Sequence, residues 1–304
     1  MTAFCGNVRH DETMTILVSD ERRNDEWLAA LQDELPSATF VLDAELGDPS
    51  IEFVVSWRVT PLIKSFPNLR AILLTGAGFN HLDLTEVPTV PIVRLIDPKM
   101  ADDIALYVLS WVIHFQRDFD HYGNANARGE WIPSLPNKFP VDVTVGVLGV
   151  GKIGAVTRTK LDSQGFTTLG WSRSNHDRSL EEFFAGSDIV VNTLPMSAET
   201  NQLVDATMLE HLGQGVFINV GRGSTVDETA LNDALQGNLR AAVIDVVTAE
   251  PLVADSPLWN RPNCIITPHI AGRTNPKTAA IAVVESIAQF RSGSSPDGVI
   301  NRPG

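Results

Sequence analysis

Residues 143–154 read Val-Thr-Val-Gly-Val-Leu-Gly-Val-Gly-Lys-Ile-Gly, and their reading decides the fold. Val143–Leu148 is a short apolar run of the kind that forms a buried strand. It breaks directly into Gly149-Val150-Gly151-Lys152-Ile153-Gly154, and a helical pattern follows as far as Gly165. The three glycines have separate tasks there: a tight turn, close backbone approach to a pyrophosphate, and close packing of helix on strand. The N-terminus of the following helix offers free N–H groups to the phosphates. A glycine pattern alone is a weak signal. With a strand before it and a helix after it, the pattern predicts a dinucleotide site on an α/β sheet.

One strand further on, Thr167–Trp171 runs into Ser172-Arg173-Ser174. An NAD site carries Asp or Glu at this place to hold the ribose 2′-hydroxyl. No carboxylate is present, and Arg173 can pair with a 2′-phosphate while Ser172 and Ser174 add hydrogen bonds. A solvated surface arginine is the competing reading. The missing acid and the present base both favour NADPH over NADH.

Outward from this centre, strand and helix patterns alternate along the whole chain. Expected strands in the first third are Thr15–Ser19, Thr39–Leu42, Phe53–Trp57, Ala71–Thr75 and Ile92–Ile96. Glu21–Leu35 carries Trp27, Leu28, Leu31 and Leu35 at helical spacing, so this third reads as an α/β unit of its own. A long apolar helix is expected from about Met100 to Tyr122, then an exposed proline-containing loop over 123–140 in which Trp131 and Leu135 are candidate pocket-lining side chains. The last helix should open at Asn275-Pro276, with Ile281, Val284, Ile287 and Phe290 on its apolar face. Periodicity does not decide which unit that helix joins. With 304 residues, the chain exceeds what one core comfortably holds.

The formal net charge of −14 argues against a nucleic-acid or anionic-membrane surface. Cys5 and Cys264 are the two cysteines, far apart and without metal-ligand spacing, so neither a metal site nor a disulfide framework is expected. Met1–Thr13 lacks the apolar core of a signal peptide, and no apolar run approaches membrane-spanning length. A cytoplasmic protein is expected.

Three further strand ends carry chemistry. Phe217–Val220 turns through Gly221-Arg222-Gly223, with Asp227 as N-cap of the next helix and Leu231, Ala234 and Leu235 on that helix's apolar face. Ala241–Val246 contains Asp245, a carboxylate costly to bury without partners, which either meets a cofactor or holds a loop, and Glu250-Pro251 follows. Ile265-Ile266-Thr267-Pro268-His269 presents a histidine at a strand end. Singly, such an arginine or histidine is more often structural. Together, at the edge where α/β sheets bind ligands, they suit hydride transfer to a 2-oxo acid. Arg222 can hold the substrate carboxylate, His269 can give a proton to the carbonyl oxygen, and Glu250 beside the ring favours its charged form.

Assembled, these motifs resemble the D-2-hydroxyacid dehydrogenase family over nearly the whole chain. The matching segments are Gly149–Gly154, Leu194-Pro195 with Glu199-Thr200, Asn219–Gly223, Asp245 to Pro251, Pro257-Leu258-Trp259 and Thr267–Ala271. Asp97–Met100, Trp171–Ser174 and the region of Trp131 are similar to the glyoxylate/hydroxypyruvate reductase A group. The resemblance implies two Rossmann-like α/β domains: a flavodoxin-like substrate domain over 1–98 plus 274–304, and a doubly wound dinucleotide-binding domain over 99–273. It implies that Arg222 orients substrate, His269 is the acid/base and Glu250 its partner. Backbone N–H groups of Ala77 and Gly78 would bind the substrate carboxylate, with Trp131 nearby. Lys152 and Ile153 would lie at the pyrophosphate. Leu194, Pro195, Thr200, Val220 and Asp245 would border the cofactor, Asp245 at the nicotinamide carboxamide. A homodimer acting on a small 2-oxo acid is implied, without nucleic acid, membrane or metal.

Departures from the family pattern concern the substrate more than the reaction. Asp102 stands where Glu is frequent, Phe79-Asn80 replaces Val-Asp, and Arg273 adds a charge behind His269. Two competing readings remain: an NAD-dependent 3-phosphoglycerate-type dehydrogenase, which would favour an acid at Arg173, and a nucleotide-sensing binding protein of the same fold.

Overall fold

Parallel β-sheets organise both halves of the computed structural model, which describes residues 14–20, 23–79, 81–85, 87–136, 138–174 and 177–301. The readings of Met1–Thr13, Cys5, Glu21 and Asn80 fall outside those residues. The chain divides into two units, Met1–Pro98 with Thr274–Gly304, and Lys99–Arg273.

In the first unit, β1 (Thr15–Ser19), β2 (Thr39–Val41), β3 (Ile51–Ser56), β4 (Ala71–Leu74) and β5 (Ile92–Val93) form a parallel sheet in the order β2-β1-β3-β4-β5. This is the flavodoxin-like order. Strands β3 and β4 are buried almost throughout, as a sheet covered on both faces requires. Helix α1 (Asn24–Glu34) buries Trp27, Ala30 and Leu31 and packs against the C-terminal helix, Pro276–Arg291. Asn275 caps that last helix, its side chain accepting from Lys277 N at 3.1 Å. Of the expected apolar face, Ile287 is buried and Val284 and Phe290 are half-buried, so the correction concerns Ile281. The buried residues are Pro276, Ala279, Ala280, Val283 and Ile287, while Ile281 is exposed. These positions recur at helical spacing, with the small Ala279 and Ala280 at its centre, and Ile281 lies outside that stripe. Strand β5 is also shorter than expected, because Arg94 N turns to Gly298 O (3.0 Å) and Leu95 N to Gly76 O (3.0 Å).

In the second unit, α2 (Pro98–Gln116) and α3 (Phe119–Ala127) precede β6 (Thr144–Leu148), α4 (Lys152–Ser163), β7 (Thr167–Trp171), α5 (Leu180–Ala185), β8 (Ile189–Asn192), α6 (Ala206–Leu212), β9 (Val216–Asn219), α7 (Glu228–Gln236), β10 (Ala241–Ile244) and β11 (Cys264–Ile266). The six strands are parallel, in the order β11-β10-β9-β8-β6-β7. Alternation divides their side chains between two cores. Leu148, Val190, Phe217 and Ile244 join one, whereas Val147, Val191, Ile218 and Val243 join the other. Helix α2 fills the second core with Ile104, Val108, Val112 and Phe115.

The expected long helix over Met100–Tyr122 is in fact two. The break lies at Asp118, which adopts a left-handed φ of 53°. Its carboxylate, with that of Asp120, receives Arg240 from the start of β10, and this distant cation fixes the break. Helix α3 therefore occupies the beginning of the expected loop. Among the described residues, no helix is long and apolar enough to cross a membrane.

Candidate active site

Parallel strands place every turn that follows a strand of the second unit at one edge of its sheet. Strand β6 lies between β7 and β8, so strand order reverses there and leaves a crevice at the carboxyl ends. Gly149 begins the turn at φ +95°, and its N–H donates to Trp171 O at 2.8 Å. A Cβ on Gly154 would lie 1.9 Å from the Gly149 carbonyl oxygen, so a side chain there would break the turn. Gly151 is the N-cap of α4 and has no side chain to occupy the first-turn N–H groups. With Lys152 exposed and Ile153 half-buried beside them, these groups and the positive helix end fit a pyrophosphate.

At the end of β7, Arg173 is exposed between Ser172 and Ser174, and its Nη1 lies 3.6 Å from Glu199. Thr200 closes the turn after Leu194 and Pro195: its hydroxyl donates to Pro195 O (2.7 Å) and accepts from Ser197 N (2.8 Å).

The turn carrying Arg222 hangs on a buried polar network. Asn192, closing β8, donates through Nδ2 to Asn219 Oδ1 (2.9 Å) and Thr225 Oγ1 (2.7 Å). Asn219 Oδ1 also accepts from Gly221 N (3.1 Å), and Thr225 Oγ1 donates to Arg222 O (2.6 Å). The arginine backbone is thus held from two neighbouring strands, next to buried Val220. Burial pushes the Arg222 guanidinium down from its ordinary value, while the charge of Glu250 works the other way.

His269 Nδ1 lies 2.8 Å from Glu250 Oε2 and 3.1 Å from Oε1. The histidine has a left-handed φ of 54°, and its N–H donates to Asp245 O (2.9 Å) and Thr267 O (3.0 Å). Asp245, 3% exposed, accepts from Thr267 Oγ1 (2.6 Å) and Ile270 N (2.8 Å) on Oδ1, and from Ala271 N (2.9 Å) on Oδ2. These bonds hold the turn that carries His269.

In the first unit, Ala77 and Gly78 follow β4, half-buried, and no hydrogen bond among the described residues engages their N–H groups. Trp131 is 100% exposed, on a stretch with neither helix nor strand. Asp118, Asp120 and His121 could share a cation, but Arg240 already supplies positive charge there. Burial pushes the Cys264 thiol up to about 12, so it is no nucleophile near neutral pH.

Sequence reasoning missed Asn192, Thr225 and Tyr107. Asn192 had a readable signal, a polar residue closing an apolar strand, the same signal that singles out Asp245. Tyr107, whose hydroxyl lies 2.7 Å from Thr267 Oγ1, had none, since 160 positions separate them.

Comparison with known proteins identifies the family. The family model described as D-isomer specific 2-hydroxyacid dehydrogenase, NAD binding domain, matches residues 109–271. A glyoxylate/hydroxypyruvate reductase A of Serratia proteamaculans is 32% identical over 297 residues, covering 91% of this chain and 95% of that protein. A D-isomer specific 2-hydroxyacid dehydrogenase of Xanthobacter autotrophicus, solved with NADPH and MES, superposes with a TM-score of 0.86 at 33% identity, covering 95% of this chain and 98% of the other. An NADPH-dependent glyoxylate/hydroxypyruvate reductase of Sinorhizobium meliloti, solved with NADP and sulfate, gives 0.84 at 28% identity with the same two coverages. The chain belongs to the D-isomer specific 2-hydroxyacid dehydrogenase family.

Proposed function

We propose that this enzyme reduces a small 2-oxo acid of the glyoxylate or hydroxypyruvate type to the D-2-hydroxy acid, with NADPH preferred over NADH. The observation that carries this reading is the bond of 2.8 Å between His269 Nδ1 and Glu250, at the same sheet edge as Arg222 and the glycine turn. The nicotinamide, when bound, supplies hydride to C2 of the substrate. A carboxylate only accepts, so Nδ1 carries a proton and Nε2 is the nitrogen that serves the carbonyl oxygen. Arg222, a partly buried cation, holds the substrate carboxylate and polarises the carbonyl, acting more strongly than it would in bulk water. In the first unit, the open N–H groups of Ala77 and Gly78 are offered to a carboxylate.

Lys152, Ile153 and the glycine turn would hold the pyrophosphate, and Ser172, Arg173 and Ser174 the 2′-phosphate. Leu194, Pro195, Thr200 and Val220 would border the cofactor. Three loop donors engage the Asp245 carboxylate, so any contact with the nicotinamide carboxamide is secondary to its hold on the histidine turn. The names and bound cofactors of the relatives support both reaction and cofactor. A homodimer is part of the same reading, because Leu106, Ile113, Phe119, Trp131, Phe139 and Val141 are exposed apolar side chains of the second unit. So is a cytoplasmic location, which rests on the absence of a disulfide framework in the sequence.

Initial rates over a panel of 2-oxo acids, each with NADPH and NADH, test the reading. His269→Ala should lower kcat by ~10²–10⁴ while NADPH binding persists. Undiminished turnover would remove His269 from the chemistry. Tight NADPH binding without turnover on any oxo acid would instead favour a nucleotide-sensing protein.

A further inference from the structure

We propose that Tyr107 and Thr267 are positioning residues for His269, acting through a directed chain of hydrogen bonds that ends on the buried carboxylate of Asp245. The inference rests on the reading of His269 as proton donor and deepens it. The direction follows from elementary donor counting. Asp245 as a carboxylate can only accept, so the contact of 2.6 Å with Thr267 Oγ1 uses the single hydroxyl proton of the threonine. Thr267 has then only lone pairs left for Tyr107. The contact of 2.7 Å between the two hydroxyls must carry the tyrosine proton, and the chain runs from Tyr107 to Thr267 to Asp245. Burial, the largest influence on the phenol, pushes Tyr107 up from its ordinary value, so it keeps the proton it donates.

The end of this chain is the turn that aims the imidazole. Thr267 and Asp245 are the two residues whose carbonyls accept the His269 N–H, at 3.0 and 2.9 Å. The same Asp245 carboxylate holds Ile270 N and Ala271 N on the far side of the histidine. His269 stands between these clamps at a positive φ, a conformation a non-glycine residue keeps only when its surroundings over-determine it. Tyr107 ties the clamp to α2, whose Ile104 and Val108 on either side of it are locked in the core. A turn anchored in this way presents Nε2 at a fixed place, and proton transfer is sensitive to sub-ångström placement.

The test uses the full-length enzyme with its best oxo acid and NADPH. Tyr107→Phe keeps the ring and removes the hydroxyl that donates to Thr267. It should lower kcat about tenfold with KM and NADPH affinity within about twofold of wild type, as misplacement of a transition-state group requires. The solvent deuterium isotope effect on kcat should rise, because proton delivery becomes slower. Thr267→Val should lose activity in the same manner. Thr267→Ser, which retains the hydroxyl, should restore kcat to within about twofold of wild type. The proposal is overturned if Tyr107→Phe leaves kcat within about twofold of wild type, or if Thr267→Ser is as impaired as Thr267→Val. It is also overturned if the loss in kcat comes with an unchanged isotope effect and a matching fall in melting temperature, the mark of a purely structural role. His269→Ala separates the two levels. If that variant turns over normally, the underlying reading fails; if it is inactive while Tyr107→Phe is normal, the positioning chain alone fails.

Discussion

Arg173 illustrates what a single exposed side chain can decide. Its guanidinium is 66% exposed and sits 3.6 Å from a Glu199 carboxylate that is 57% exposed. Such a surface pair contributes about 0–1 kcal/mol, so a phosphate bearing close to two negative charges can displace the carboxylate. At the strand end where an NAD site carries an acid, this chain carries Arg173, and on the proposed reading cofactor selectivity should rest on it. Arg173→Ala is expected to raise KM for NADPH roughly tenfold or more and to leave KM for NADH nearly unchanged, as loss of a charge-assisted hydrogen bond implies. Added salt should weaken NADPH binding in wild type more than in the variant. Equal changes for both cofactors would show that Arg173 does not meet the 2′-phosphate.

Elements are joined by charge as well as by apolar packing. Arg240, at the start of β10, donates to Asp118 Oδ1 (2.7 Å) and to both oxygens of Asp120 (2.7 and 3.0 Å), with its guanidinium 5.8 Å from the Phe115 ring centre. It thereby fixes the angle at which α3 leaves α2. Burial alone would raise the Asp120 carboxyl, but the hydrogen bond and charge of Arg240 outweigh it and hold the group below the ordinary aspartate value. A carboxyl depressed in the folded state contributes stability that is complete above the unfolded value, near ~4, and is lost as pH falls through the lower folded value. Arg240→Met should therefore cost about 2 kcal/mol at neutral pH, and its melting temperature should converge on that of wild type as pH drops below the aspartate range. A gap that stays constant from neutral to strongly acid pH would remove Asp120 from that contribution.

At the scale of the whole molecule, the two units differ in how the chain builds them. Residues 99–273 are one continuous segment, and the family model matches within it at 109–271. The other unit needs both chain ends: its C-terminal helix covers α1, Ile300 N donates to Ile92 O (2.9 Å), and Val299 bridges Val93. A fragment of residues 99–273 should fold and bind NADPH, seen by circular dichroism and by fluorescence titration, yet reduce no oxo acid. A fragment of residues 1–98 should fail to fold, because it leaves the helix-covered face of α1 in water. A 99–273 fragment that cannot bind the cofactor would show that its sheet does not make that site alone.

Much of this molecule is written in short-range signals. Strand and helix periods, the glycine turn and the caps at Asp227 and Asn275 depend on neighbours within a turn or two, so the sequence reveals the α/β class, the strand–glycine–helix turn and both caps. The break at Asp118, the exposure of Trp131, the narrow face of the C-terminal helix and the partners of Asp245 and Asn192 depend on residues tens to hundreds of positions away. Only the tertiary structure decides those. A buried polar group takes whatever donor or acceptor the adjacent strand or helix delivers, and adjacency is a property of the folded sheet, not of spacing along the chain.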